Sequence, residues 1–307
     1  MLSYTLRRLL GAIPTLFVVV TLTFFLMRWA PGGPFDQEQT LTPEIQANLE
    51  AAYGLDQPVW VQYGRYLRGL VRGDFGPSYK YRDFTVTELI RQGLPISLTL
   101  GLSALLVAIA IGVPLGILAA LRQNAPADAF IRAIAVIGIA LPGFVVAPLL
   151  ALIFGIRLGW LPVAGWEPGS LRTLVLPVAA LALPLSAYLV RLTRASLLEV
   201  LTSGFVRAAR ARGLPERTVI ARHALKAALT PVVSYLGPAA VAVLTGSLVI
   251  ETIFGIPGMG RYLVQGALNR DYTLVMGMVV VYATLTLLFN LVVDLVYGWL
   301  DPRVRHA

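Results

Sequence analysis

Residues 96–121 read ISLTLGLSALLVAIAIGVPLGILAAL, 26 consecutive positions without a charged side chain. A helix needs about 20 mostly apolar residues to cross ~30 Å of hydrocarbon, where every backbone N–H and C=O must find a partner within the segment. Working outward, residues 9–28, 131–156, 173–190, 231–250 and 274–299 meet the same requirement, 173–190 being the shortest. The rest of the composition agrees. The 307 residues are 57% hydrophobic and 13% charged, with mean hydropathy +0.75, against about 25% charged in an average soluble protein. An ordinary soluble globule is excluded, and the expected fold class is an all-α integral membrane protein with six transmembrane helices. Without cysteine there are no disulfides, thiolate metal sites or cysteine nucleophiles, and with only His223 and His306 a histidine-rich metal centre is also excluded.

Arg7 and Arg8 precede the first span, but its apolar stretch outruns the ~7–15-residue core of a cleaved leader. The segment is therefore expected to stay as a helix with a cytoplasmic N-terminus, and six spans return the C-terminus to that side. Basic residues test the orientation. The proposed cytoplasmic side holds Arg7, Arg8, Arg122, Arg132, eight residues between Arg191 and Lys226, Arg303 and Arg305, fourteen in all. The short outer loops hold four: Arg157, Arg172, Arg261 and Arg270. Positive charge concentrates on the cytoplasmic side of membrane proteins. The net charge of +9 thus has a membrane explanation, and the bilayer, rather than nucleic acid, is the expected partner.

Four regions follow: residues 1–28 with the first span, an extracytoplasmic insert at 29–95, a transmembrane core at 96–299, and a cytoplasmic tail at 300–307. The insert opens on the break Pro31-Gly32-Gly33-Pro34. Thr42-Pro43-Glu44 then reads as a helix start, with proline at the first position and an acid in the first turn. Further on, Trp60, Tyr63, Tyr66 and Leu67 recur at three- and four-residue spacing, so aromatics share one helical face. That face either packs on the spans and headgroups or docks an extracytoplasmic partner.

Residues 191–228 hold eight of the fourteen cytoplasmic basic residues and only two acids, Glu199 and Glu216. Ser203-Gly204 breaks one helix. Phe205, Ala208 and Ala209 are expected on one face of the next, Arg207 and Arg210 on another, until Gly213 allows the positive φ that ends it and Pro215-Glu216 restarts it. The expectation is a short crosswise helix between two bends, with a face of small residues that another backbone can approach. A solvated basic loop is the simpler alternative.

Ala208-Ala209 followed by Gly213 resembles the Glu-Ala-Ala, three residues, Gly signature of the cytoplasmic loop in bacterial ABC importer permeases, with Arg207 in place of the glutamate. The longer stretch FVRAARARGLPER (205–217), continuing to RHAL (222–225), resembles the form found in the peptide/nickel branch. So do LMRWAPGGPF (26–35), GDFGPS (73–78), ETIFGIPGMG (251–260) and ALNRDY (267–272). The resemblance covers essentially the whole chain and is strongest to the B-type permease subunit of oligopeptide importers. It implies the ABC importer permease fold, with a helical extracytoplasmic insert between helices 1 and 2, in a bacterial cytoplasmic membrane. The implied partners are a second homologous permease, two cytoplasmic ABC ATPases, an extracytoplasmic peptide-binding protein and a peptide substrate. Phe205, Arg207, Ala208, Ala209, Arg210, Arg212, Gly213 and Leu214 would form the loop that couples to an ATPase. The substitution at Arg207 leaves any role of the family's glutamate without a counterpart. The same permease role for dipeptides, nickel, glutathione or similar solutes is the alternative.

The chain contains no Gly-x-x-x-x-Gly-Lys-[Ser/Thr] phosphate loop, no Gly-x-Ser-x-Gly elbow and no paired-histidine motif. No catalytic or metal-ligating residue is expected, and no cofactor. ATP and Mg would belong to partner subunits. Asn290 and Asp294 lie four apart on the sixth span, either paired within the bundle or along a substrate path. Glu251 ends the fifth span before a Gly/Pro-rich loop through Gly255, Pro257 and Gly258, which reads as an outer gate or a tight re-entrant turn. His223 reads as structural or solvated. Prolines 114, 142, 148, 177 and 184 lie within spans and are candidate kinks.

Overall fold

The computed structural model describes the backbone of residues 2–29, 43–81 and 83–300 and, within these, all side chains except those at 2–9, 43, 45, 46, 49, 294 and 296–300. The expected break at Pro31-Gly32-Gly33-Pro34 and the tail beyond 300 lie outside the described residues, as do the side chains of Arg7 and Arg8.

The described structure is helical. In order come α1 (Leu2–Trp29), α2 (Pro43–Ala52), α3 (Val59–Val71), α4 (Val86–Leu121), α5 (Pro126–Ala140), α6 (Gly143–Leu150), α7 (Leu171–Leu201), α8 (Gly204–Ala211), α9 (Glu216–Thr218), α10 (Leu225–Ala228), α11 (Thr230–Ile253), α12 (Met259–Leu268) and α13 (Tyr272–Leu300). A π-helix, Ala151–Arg157, extends α6, and a second, Val219–Ala224, joins α9 to α10. Among the described residues five helices are each long and apolar enough to cross a membrane, and the number is six if the bent pair Pro126–Ala140 and Gly143–Arg157 counts as one span.

Three spans differ instructively from their expected limits. The third is not one rod: α5 and the segment Gly143–Arg157 meet at 102°. Of the expected kink prolines, Pro142 makes this one. A residue before proline is pushed out of the helical region, and Leu141 sits at φ −89°, ψ 114°, with Pro142 extended as well. The second span starts earlier, at Val86, because Thr85 and Glu88 form a reciprocal cap. Thr85 N–H donates to the Glu88 carboxylate at 2.8 Å, and Glu88 N–H to the Thr85 hydroxyl at 3.2 Å. The fourth, expected to be short, runs 31 residues as α7. Its apolar window is 61% buried, the highest of the five, so helix neighbours rather than lipid cover it.

The chain divides into two compact units, one built on Leu98–Ile256 with the residues from Thr286, the other on Leu10–Ser97 with Pro257–Leu285. In the first, α7 packs against α5, α6, α10 and α11. Ala119, Ile131, Ala135, Ala187 and Val190 form one buried cluster. α4 comes closest at Gly112 and Gly116, where an added Cβ would stand 2.8 Å from the Ser186 and Val190 carbonyl oxygens. Small residues at a helix crossing permit this approach. In the second unit, the aromatic face of α3 lies on α1. Tyr66 stacks on Phe24 at 5.8 Å, Tyr63 lies 5.2 Å from Phe24, and Trp60 meets Phe25 at 5.4 Å. Tyr63 and Tyr66 of that face thus pack on a span, while Trp60 stays 72% exposed.

Candidate coupling site

The 191–228 region begins as helix rather than loop, because α7 carries Arg191, Arg194 and Glu199 before ending at Leu201. Thr202 and Ser203 turn the chain, their hydroxyls donating to the Glu199 and Val200 carbonyls at 2.8 and 2.6 Å. α8 follows and stops at Arg212-Gly213, where Gly213 has φ +74°. Pro215 then opens α9.

What holds α8 is a buried cluster of Ala120, Leu197, Val206, Ala209, Val219, Ala224 and Ala228. Val206 is 0% and Ala209 7% exposed, so these two, three residues apart, form the inner face. The expected grouping of Phe205, Ala208 and Ala209 is therefore split. Ala209 turns inward, while Phe205, at 50% exposure, and Ala208 face outward, with Leu214 also exposed beyond the turn. Arg207 and Arg212 are exposed beside them. Arg210 is engaged within the chain: its guanidinium donates to both Glu216 carboxylate oxygens, at 2.6 and 3.1 Å, and to the Leu201 carbonyl at 3.2 Å. That ion pair holds the Glu216 carboxyl below its ordinary range and closes the loop across Gly213.

The helix feeding α8 is tied down by a contact that the sequence did not disclose. Asp128, fully buried in the first turn of α5, accepts from Arg194 Nε and Nη2 at 2.7 and 2.8 Å and from Asn124 N–H at 3.0 Å, with Arg132 at 3.3 Å. A bidentate arginine–carboxylate pair is strong and directional. Arg132 four residues on was a visible signal, whereas Arg194 is 66 residues away.

The remaining predicted residues do not form one site. Glu251 is buried near the end of α11 and accepts from Ser247 at 2.9 Å. It and Gly255 belong to the first unit, Pro257 and Gly258 to the second. There Gly258 precedes α12, whose first amide, at Met259, donates to the buried Ser97 hydroxyl at 2.9 Å. Asn290 is exposed on α13, and the Asp294 side chain lies outside the described residues. An apolar cavity of about 360 Å³ in the first unit is instead walled mainly by α6, α7 and α11, with Phe144, Pro184, Tyr188 and Tyr235 on its lining and none of the five candidates whose side chains are described. The rings of Tyr188 and Tyr235 stack at 4.2 Å. No group of three or more metal-ligating side chains occurs among the described residues.

Comparison with known proteins covers both parts of the chain. The family described as "Binding-protein-dependent transport system inner membrane component" matches residues 112–306, and its N-terminal companion family matches residues 1–101. The oligopeptide transport system permease protein OppB of Escherichia coli K12 is 52% identical over all of both chains. The protein of that name from Haemophilus influenzae is 49% identical, also over all of both chains. A dipeptide transport system permease of Bacillus subtilis is 43% identical over 99% of this chain and 98% of its own. Among solved structures, the inward-facing MetNI methionine ABC transporter aligns with TM-score 0.57 and 19% identity, covering 69% of this chain and 96% of that one. An amino acid ABC transporter aligns with TM-score 0.53 and 23% identity, covering 69% and 94%. Matched along its whole length and folded in the same way, the chain belongs to the binding-protein-dependent transport system inner membrane components, the multi-pass permeases of ABC importers.

Proposed function

We propose that this permease carries oligopeptides inward across a bacterial cytoplasmic membrane, as one of two homologous permeases served by two cytoplasmic ATPases and an extracytoplasmic peptide-binding protein. The full-length 52% identity to an oligopeptide permease carries this reading. A dipeptide substrate has weaker support, from relatives at 43% and 39%. Both termini and the 191–228 region face the cytoplasm, following the distribution of arginines. ATP and Mg stay on the ATPases, and this chain binds no cofactor.

The outward side of α8, with Phe205, Ala208 and Leu214 flanked by Arg207 and Arg212, seats in an ATPase. Val206 and Ala209 transmit the push, because they join α8 to α7 through one buried cluster. Shape outweighs charge here, since exposed ion pairs contribute only about 0–1 kcal/mol, and Arg210 is already paired. Replacing the exposed Ala208 with Trp should leave membrane insertion intact and abolish peptide-stimulated ATPase activity in the reconstituted transporter. Normal stimulated ATPase and uptake in that variant would remove α8 from the coupling role. Added protease should cut the 29–95 insert only from the outer face; cleavage from the cytoplasmic face would invert the proposed topology.

A further inference from the structure

The second unit contains a cavity of about 210 Å³ that the coupling role does not use. Its walls come from the end of α1, from α3, from the 74–79 segment and from the start of α13. Three of its lining residues each carry a buried polar atom that has no hydrogen-bond partner among the described residues: Arg28 Nε, Gln62 Oε1 and Tyr66 Oη. Gln62 is only 8% exposed, and its amide nitrogen is committed to the Leu55 and Gln57 carbonyls at 3.0 and 2.7 Å, which fixes the oxygen as the free end. Unpaired buried polar atoms cost about 1–3 kcal/mol each, so three around one cavity mark a place where something polar fits. Asp74 and Pro77 are exposed on the same lining, so the cavity is reachable from the surface.

The atoms define the ligand. Arg28 Nε can only donate, and it donates best to an oxyanion. Burial raises the Tyr66 phenol well above its ordinary range, so it too remains a donor. Gln62 Oε1 can only accept. Asp74 adds a second acceptor group, its carboxylate already taking the Gly76 N–H at 2.9 Å. A bare anion would satisfy Arg28 and Tyr66 but leave Gln62 unpaired and face Asp74. The C-terminal residue of a peptide carries both halves, a carboxylate and, three bonds away, an amide N–H. Phe24, Phe75 and Met276 supply apolar wall for its side chain. The volume is below the ~300–1,000 Å³ of sites that enclose whole drug-sized ligands, so the cavity suits a peptide end and not an entire peptide.

We propose that this cavity is a subsite for the C-terminal residue of a peptide, with Arg28 and Tyr66 donating to its carboxylate and Gln62 accepting from its last amide N–H. The inference rests on the peptide-importer reading and deepens it. Given the proposed topology, the subsite is on the outer side, where a released peptide first meets the permease.

The test uses the assembled transporter in phosphatidylcholine nanodiscs without its binding protein, and equilibrium binding of radiolabelled tri-alanine. Binding should be retained by N-acetyl tri-alanine and weakened roughly tenfold or more by C-terminal amidation, as expected for loss of a charge-assisted hydrogen bond. Tyr66→Phe, which removes only the hydroxyl, should weaken binding several-fold while leaving the unliganded transporter as thermally stable as the parent or more so, and Arg28→Gln should abolish binding. Equal binding of acid and amide, or unchanged binding in both variants, overturns the proposal. So does absence of binding, whether the cavity holds only water or a lipid phosphate. Peptide uptake with the binding protein present separates the two readings. Uptake without nanodisc binding sinks the subsite alone, whereas carboxylate binding without peptide uptake sinks the importer reading.

Discussion

Two short amphipathic helices, α3 and α8, end in the same way and are used in opposite ways. Each closes on Arg-Gly: α3 on Arg72-Gly73 with Gly73 at φ +73°, α8 on Arg212-Gly213 with Gly213 at φ +74°. In both, the left-handed glycine ends the helix as local backbone chemistry demands. The difference lies in the anchoring face. α3 applies large aromatics to α1, contacts worth about 0.5–1.5 kcal/mol per pair beyond their buried area. α8 has only Val206 and Ala209 as its apolar anchor, and Phe205 and, past its end, Leu214 are exposed. A helix that stacks Tyr63 and Tyr66 on a span is part of a wall, even with Trp60 at its start left 72% exposed. One held by small residues, with its largest apolar side chain outward, is shaped for a partner.

Removing the tie beneath α8 should have the largest effect. Asp128→Ala strands Arg194, whose guanidinium donates to both Asp128 carboxylate oxygens, and deleting one partner of such a pair is destabilising. The purified variant should melt at clearly lower temperature, with Asp128→Asn falling between it and the parent. An unchanged melting temperature for Asp128→Ala would mean that α7 is held by packing alone.

Next come the paired terminators. A β-branched residue at positive φ costs on the order of 1–3 kcal/mol, and nothing stands within 4 Å of a Cβ at Gly73 or Gly213, so strain is the shared cost. Gly73→Val and Gly213→Val should therefore lose similar stability by thermal melting. Only Gly213→Val should uncouple ATP hydrolysis from uptake. Equal uncoupling by both would erase the distinction between the two helices.

A smaller contrast lies within α8 itself. Val206→Ala removes buried methyls and should lower stability by about 1–2 kcal/mol. Phe205→Ala should leave melting unchanged while reducing affinity for the ATPase in a pull-down or binding titration. A Phe205→Ala variant that melts early but binds normally would reverse their assignment.

The smallest effect concerns the turn. The Glu216 carboxyl is held below its ordinary value of 4.5 by Arg210. A depressed carboxyl contributes stability above its unfolded pKa and loses it as pH falls through the lowered value. Glu216→Gln should thus melt slightly below the parent at pH 7, and the gap should close in acid below pH 4.5 as the native carboxyl protonates. A gap that persists there would assign the effect to packing.

Much of this was legible without coordinates. Uncharged runs locate spans because hydrocarbon admits only self-satisfied helices. Ser203, Gly213 and Pro215 mark the limits of α8 because caps and breakers act within a few residues. Limits set by hydropathy alone ran short where a helix continued past charge, as α4 does through Glu88 and Arg91 and α7 through Arg191 and Arg194.

Side-chain direction and long-range pairing belong to the other class. Spacing put Ala208 and Ala209 on one face, but their actual separation depends on where α7 and the Val219–Ala224 segment press against α8. Asp128 with Arg194, and the cavity around Arg28, Gln62 and Tyr66, join residues tens of positions apart. The sequence by itself determined the membrane class, the apolar centres of the spans and the ends of α8, because these follow from hydration and backbone rules acting along the chain. Only the tertiary structure decided which faces are spent and which remain open, because that depends on packing between segments whose sequence separation carries no geometric information.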